Sequence, residues 1–316
     1  MRFGAKAILA ALALLAMLAG LICAAQPWFG PRERGGGRWR GGWDEEDPEG
    51  PIVHTEGHQA VNEDTVRTAR ETASHSTGTP DWTNAPGFEK DVFTFARIIY
   101  KFDRFRGPSW LAWINDYPDS DLNLSWRLEE LTSMKVDPDG RVLKLSDPDL
   151  AEYPFIYAVK PGRMELRPEE APILRKYLLA GGVLMADDFW GEREWNSFEH
   201  QIKQVLPERR WVELPMEHPI FHSVFDLKAD KNSLQVPSIH VWERTGSSHR
   251  GLQDTRDMHV RAWLDDKQHI MIIATHNTDN GDGWEREGED IDYFEQFSEA
   301  RAYPLAINII FYIMTH

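Results

Sequence analysis

FIYAVKPGRMELRPEEAPILRKYLLAGGVLMADDFWG, residues 155–191, is the stretch on which the fold turns. FIYAV (155–159) is a short, unbroken run of β-branched and aromatic residues, which reads as a strand buried on both faces. Residues 167–182 carry Glu169 and Glu170 near the start, Arg175 and Lys176 later and two glycines at the end, the charge order and stop signal of a helix. VLMA (183–186) follows at once as a second buried strand. A strand, a helix and a strand in such short order form a parallel crossover unit.

The same alternation extends in both directions. VFTFARIIY (92–100) reads as the first strand of the domain. DYPDSDLNLSWRLEELTSM (116–134) reads as a turn, a capping Ser or Asp, and a helix with Leu124, Leu128 and Leu131 at helical spacing. Residues 195–205 read as another helix, 239–242 and 260–263 as short strands, and 269–275 as a long apolar strand. PLAINIIFYIM (304–314), apolar nearly all round, reads as a buried closing helix. The expected fold is α/β, a three-layer sandwich around a mainly parallel sheet of the flavodoxin-like kind.

Two segments precede that domain. Arg2 and Lys6, an apolar run at 7–22 and small residues at 23–25 make residues 1–25 a signal peptide or, uncleaved, a membrane anchor. Residues 26–90, with GPRERGGGRWRGGW (30–43) followed by DEEDPEGP (44–51), read as a disordered, Gly-, Pro- and charge-rich tether. The domain is then expected over 91–316, exported to the periplasm or beyond, with the inner membrane involved only through residues 7–25.

The charge balance limits the partners. With 35 Lys and Arg against 51 Asp and Glu, a net charge of -16, the chain repels a phosphate backbone, so nucleic acid is excluded as a partner. The only cysteine, Cys23, lies in the leader, so the domain has neither a disulfide nor a thiolate nucleophile. HExxH, GxSxG and phosphate-cradling glycine loops are also missing.

In a parallel sheet, ligands gather beyond the carboxyl ends of the strands. Four groups stand there: Asp116 with Asp119 and Asp121; Lys160; Asp187 and Asp188 with Trp190 beyond them; and His276, Asn277 and Asp279. Asp187 and Asp188 are adjacent on a strand, so without a bend only one faces a given ligand. Carboxylates gathered at these ends would raise one another's pKa, as an acid–base pair or a site for a hard cation requires. HNTDNGDGWE (276–285) spaces Asp279, Asp282 and Glu285 by three, against the spacing of two in a helix-loop-helix calcium motif, so no metal ligands are assigned. His218 before Pro219 reads as a turn, and Glu199 and His200 as a helix surface. Trp190, Trp195 and Trp284 lie near the acids in sequence, the pairing by which proteins hold sugars, although packing is the ordinary use of tryptophan.

VFTFARIIY, INDYPDSDLNLSWRLEELTSM (114–134), GGVLMADDFWG (181–191), EHPIF (217–221) and HNTDNGDGWE together resemble the bacterial domain of unknown function numbered 4159. That resemblance implies a class I glutamine amidotransferase-like fold and no known activity. In that fold a cysteine occupies the turn after the strand that VLMA resembles; here Asp187, Asp188 and Phe189 stand in its place, which removes the usual glutaminase chemistry. His276 falls near the place of the fold's catalytic histidine. The function expected is a ligand-binding domain of the cell envelope, with a glycan or a protein as partner and no cofactor identified. The alternative is a hydrolase of envelope saccharides using strand-end carboxylates and a histidine, metal-assisted or not.

Overall fold

The computed structural model describes residues 50–316 apart from 77, 88–90 and 229, together with all but the side chain of Arg106. The expected leader and the 26–49 part of the expected tether lie outside the described residues.

Seven strands form one sheet. In chain order they are β3 (Ala96–Ile99), β4 (Arg141–Lys144), β5 (Phe155–Val159), β6 (Val183–Phe189), β7 (Trp211–Glu213), β8 (His259–Leu264) and β9 (Ile270–His276). Before them, β1 (Ile52–His54) and β2 (Ala60–Asn62) make a separate antiparallel pair. The sheet order is β4-β3-β5-β6-β9-β8-β7. β4, β3, β5, β6 and β9 are parallel, and β8 and β7 add an antiparallel edge. From β3 the chain crosses to β4 on one side and then to β5 on the other, so strand order reverses at β3 and β5.

The helices are α1 (Asp119–Leu131), α2 (Glu170–Leu179), α3 (Gly191–Val205), α4 (Ile239–Thr245), α5 (Asn280–Glu285) and α6 (Tyr303–Thr315), the last entered through a π-helical stretch, Phe294–Ala302. Side-chain alternation along the strands divides the core in two. Ile156, Ala158, Leu184, Ala186, Ile272 and Ala274 pack on one face with Leu174, Leu178, Trp195, Phe198 and Ile202 of α2 and α3. Phe155, Tyr157, Val159, Met185 and Ile273 pack on the other with Leu124 and Leu128 of α1, Trp284 of α5 and Leu305 and Ile309 of α6. Helices on both faces explain why the parallel strands carry continuous apolar runs. The α/β reading therefore holds. Among the described residues no helix is long and apolar enough to cross a membrane.

Several local expectations need correction. Residues 239–242, read as a strand, form α4: the Asp282 carboxylate accepts the Ile239 N–H at 2.7 Å, and Gly246 ends the helix in a left-handed conformation. The first strand is shorter than VFTFARIIY, and the edge strands β4 and β7 carry no apolar run that announces them. α1 begins without a side-chain cap. Asp119 is engaged by Ser74 and His75 and Asp121 by Arg97, so the acids expected to cap make longer-range contacts instead. Leu131 is exposed, whereas Leu124 and Leu128 are buried.

The largest correction concerns residues 50–76, which were expected in the tether and are instead built onto the domain. Val53, Val61, Val66 and Ala69 enter the core. Ser109 Oγ accepts from the His54 N–H at 2.8 Å and donates to the His54 carbonyl at 2.9 Å. The Ala69 and Val142 amides bond to Asp139 and Arg67 carbonyls at 2.9 and 2.8 Å. Three isolated valines in a polar segment have no periodicity to reveal them; only the surface they cover makes them core residues.

Candidate functional site

Arg97 of β3 organises the first strand end. It is fully buried, donates from Nε to Asp121 at 2.9 and 3.0 Å, and reaches Ser120 Oγ at 2.8 Å. Its Nη1 donates to the Trp113 and Asn115 carbonyls at 2.8 and 2.9 Å. A planar guanidinium satisfies all these acceptors at once, and it thereby holds the 113–121 loop that presents Asp116.

Six non-glycine described residues have a positive φ, and four of them are strand-end candidates: Asp116 (60°), Lys160 (51°), Asp188 (54°) and Asn277 (62°). Left-handed backbone at a non-glycine residue is unfavourable and persists where the surroundings impose it. Here it lies beyond β3, β5 and β9 and at a bend near the end of β6. The departure of Asp188 coincides with an irregular register between Ala186 and Phe189, and this supplies the bend that lets Asp187 and Asp188 both reach the same region.

Oxygens of Asp116, Asp188 and Asp279 lie within 4.8 Å of one another, all buried. Asp116 also belongs to a second group of the same span with Asp282 and Glu285. Lys160 Nζ pairs with Asp188, and Arg250 Nη2 reaches the same carboxylate at 3.4 Å while lying 4.9 Å over the Trp190 ring. Trp190 Nε1 and Asn115 Nδ2 donate to Asp188 at 2.9 and 3.2 Å, and Asn115 Nδ2 lies 2.5 Å from Asp116 Oδ1. Gly281 presses against Asp116: a Cβ built there would stand 2.2 Å from Asp116 Oδ2.

The electrostatics divide these acids. Burial alone would raise Asp188, yet the charges of Lys160 and Arg250 outweigh it and hold this carboxyl below its ordinary range. Burial and the surrounding acids push Asp116 and Asp279 far above theirs. No ion pair among the described residues reaches Asp116 or Asp279. Burial likewise raises Glu285 to about 7, against a hydrogen bond from His75 that lowers it.

The remaining candidates are fasteners. Asp187 accepts from Thr275 Oγ1 at 2.5 Å, Asn280 Nδ2 at 2.7 Å and the Gly281 N–H at 3.1 Å, tying β6 to α5; burial raises it to about 6. Asn277 accepts from the Gly191 N–H at 2.8 Å and donates to the Asp254 and Asp257 carbonyls at 2.9 and 2.8 Å, so its amide is fully used. His276 turns toward Phe189 and Trp195, with ring centroids 4.9 and 5.3 Å away, and its Nε2 lies 3.1 Å from the Gly191 carbonyl. Burial and Arg261 lower its pKa to about 3, so it is neutral.

HNTDNGDGWE is a helix start: Asp279 caps α5 by accepting the Asp282 N–H at 3.1 Å. His218 caps a short turn, as expected. Of the three tryptophans singled out, only Trp190 touches the acids of the cluster. Trp195 stacks on Trp263, and Trp284 packs on Phe95 and Tyr157. Sequence reading passed over Asn115, Arg250 and His75. Arg250 lies in a polar loop without periodicity, and His75 belongs to the segment expected in the tether. His75 bridges Asp119 at 2.9 Å and Glu285 at 2.5 Å, and those two bonds raise it to about 10.

Comparison with curated proteins returns no match. The family described as "Domain of unknown function (DUF4159)" matches residues 94–314, which span β3 through α6 and contain every residue of the carboxylate cluster. The chain belongs to that DUF4159 family.

Proposed function

We propose that this domain is a ligand-binding module whose site is the carboxylate cluster at the strand ends, where Asp116 and Asp279 receive donor groups of the ligand and Lys160 holds Asp188 ionised. The observation that carries this reading is the convergence of the left-handed residues Asp116, Lys160 and Asp188, from three different strand ends, on one buried cluster. Strain of this kind at separate strand ends is a mark of a functional site. The reversal of strand order at β3 and β5 puts the cluster where open α/β sheets bind ligands.

The ligand class that fits is a saccharide of the cell envelope. Hydroxyls supply donors for carboxylates, and the Trp190 face accepts a sugar ring once Arg250, one-third exposed, swings aside. The export signal read at residues 1–25 agrees with that location. We infer further that the fold is class I glutamine amidotransferase-like. Asp188 sits at the left-handed bend near the end of β6, just ahead of α3, close to the position of a nucleophile in that fold, and a carboxylate there is consistent with binding in place of amide hydrolysis.

A hydrolytic reading has one observation in its favour. Asp188 is held low while Asp116 and Asp279 are held high, the division between base and acid that paired-carboxylate hydrolysis uses. Titration calorimetry of the full chain with defined peptidoglycan and polysaccharide fragments, followed by product analysis, separates the two. Binding without turnover, weakened at least tenfold by Asp116→Asn, supports the module. Reducing-end release supports the hydrolase. No binding by the folded protein removes both.

A further inference from the structure

Asp116 Oδ2 is buried without a hydrogen-bond partner, and so is Asn280 Oδ1. Both are acceptors. Buried acceptors are nearly always satisfied, and one that is not calls for an unseen donor or ion. Asp116 itself is 2 % exposed. Its other oxygen already lies against Asn115, and the acids acting on it most strongly are Asp279, Glu285, Asp282 and Asp188, all of one sign. Two cations at the group, Lys160 and Arg250, both pair with Asp188.

We propose that Asp116, Asp188 and Asp279 coordinate one hard divalent cation, Mg2+, Mn2+ or Ca2+, at the carboxyl ends of β3, β6 and β9. This rests on the reading of the strand ends as the site and names what completes it. The 4.8 Å limit on the three oxygens matches the span across a hard cation, about 4 to 5 Å for metal–oxygen bonds of roughly 2.0–2.6 Å. All the ligand atoms are carboxylate oxygens, with no sulfur or imidazole among them, which favours these ions over zinc or copper. The ion would offset the repulsion among carboxylates that outnumber their cations and include Asp116, one of whose oxygens has no hydrogen-bond partner. Bound sugar hydroxyls would then fill the ion's open positions, with Trp190 beneath the ring.

The test is calorimetric titration of Mg2+, Mn2+ and Ca2+ into the full chain after EDTA treatment, with circular dichroism to check folding. Tb3+ luminescence excited through tryptophan gives a second readout, since Trp190 Nε1 lies 2.9 Å from Asp188. The expected result is one ion per chain, with affinity lowered at least tenfold by Asp116→Asn and by Asp279→Asn and changed less than threefold by Glu285→Gln. If Asp116→Asn fails to fold, Asp279→Asn carries the comparison, and a saturable rise in Tm of the wild type with metal is read without any variant. No saturable binding at millimolar metal overturns the inference, as does binding unaffected by Asp279→Asn or abolished by Glu285→Gln alone. Saccharide binding by metal-free protein together with no metal binding would defeat the cation and leave the module standing. Metal binding with no saccharide bound would do the reverse.

Discussion

Asp188 and His276 end neighbouring parallel strands, yet they share no hydrogen-bond partner. Asp188 is held by Lys160, Arg250, Trp190 and Asn115, whereas His276 meets Gly191, Arg261 and the rings of Phe189 and Trp195. The cause is the bend at Asp188: β6 pairs Phe189, and not Asp188, with His276. The histidine that sequence reasoning grouped with the strand-end acids therefore faces the aromatic layer under α3.

His276→Phe is accordingly expected to spare ligand binding and to alter stability. Loss of the Gly191 contact should cost about 1–3 kcal/mol at neutral pH. The wild-type protein carries an acid limb as well. The unfolded chain takes up a proton on this histidine below an ordinary pKa of 6.5, but the folded chain only near 3, so stability is complete above 6.5 and falls toward pH 3. Urea denaturation across that range should show a slope of up to about 1.4 kcal/mol per pH unit that His276→Phe removes.

His75 predicts an alkaline limb of opposite sign. Its folded pKa is raised to about 10 from 6.5, so its contribution is complete below pH 6.5 and is lost as pH rises through 10. His75→Gln should flatten stability between those limits in the same denaturation experiment. It should also loosen residues 50–76, measured as faster amide exchange at Val53 and Val61.

Gly281→Ala should disturb the site from within. The added methyl would meet Asp116 Oδ2 at 2.2 Å and the Tyr157 hydroxyl at 3.2 Å, so α5 or the Asp116 loop has to shift. The expected cost is about 1–3 kcal/mol in denaturant unfolding, with ligand or metal affinity falling in parallel. An unchanged affinity would mean that Asp116 is not part of the binding surface.

Arg97 is the support on which the Asp116 loop depends. Arg97→Leu leaves Asp121 buried without its cation and should cost about 3–5 kcal/mol, measured by thermal or urea unfolding. Arg97→Lys keeps the charge but cannot serve Asp121, Ser120 and two carbonyls together. It should recover stability only in part while leaving binding impaired.

The layered α/β architecture was legible in residues 155–191 because a strand buried on both faces must be an apolar run, and a helix between two such strands must cross over the sheet. Composition settled the lack of a thiol in the domain. Four strand-end groups could be named because parallel strands all end on one side. Which side chains meet was decided only by the tertiary structure. The bend at Asp188, the left-handed turn at Asp116 and the seating of His75 each depend on contacts between residues tens to hundreds of positions apart. Residues 50–76 pass for tether by composition and become part of the domain only when Val53, Val61 and Val66 find apolar surface to cover. Local pattern determines what an element is, but burial and charge pairing across the chain determine whether Asp187, Asn277 and His276 are fasteners and whether Asp116 is left with an oxygen to offer.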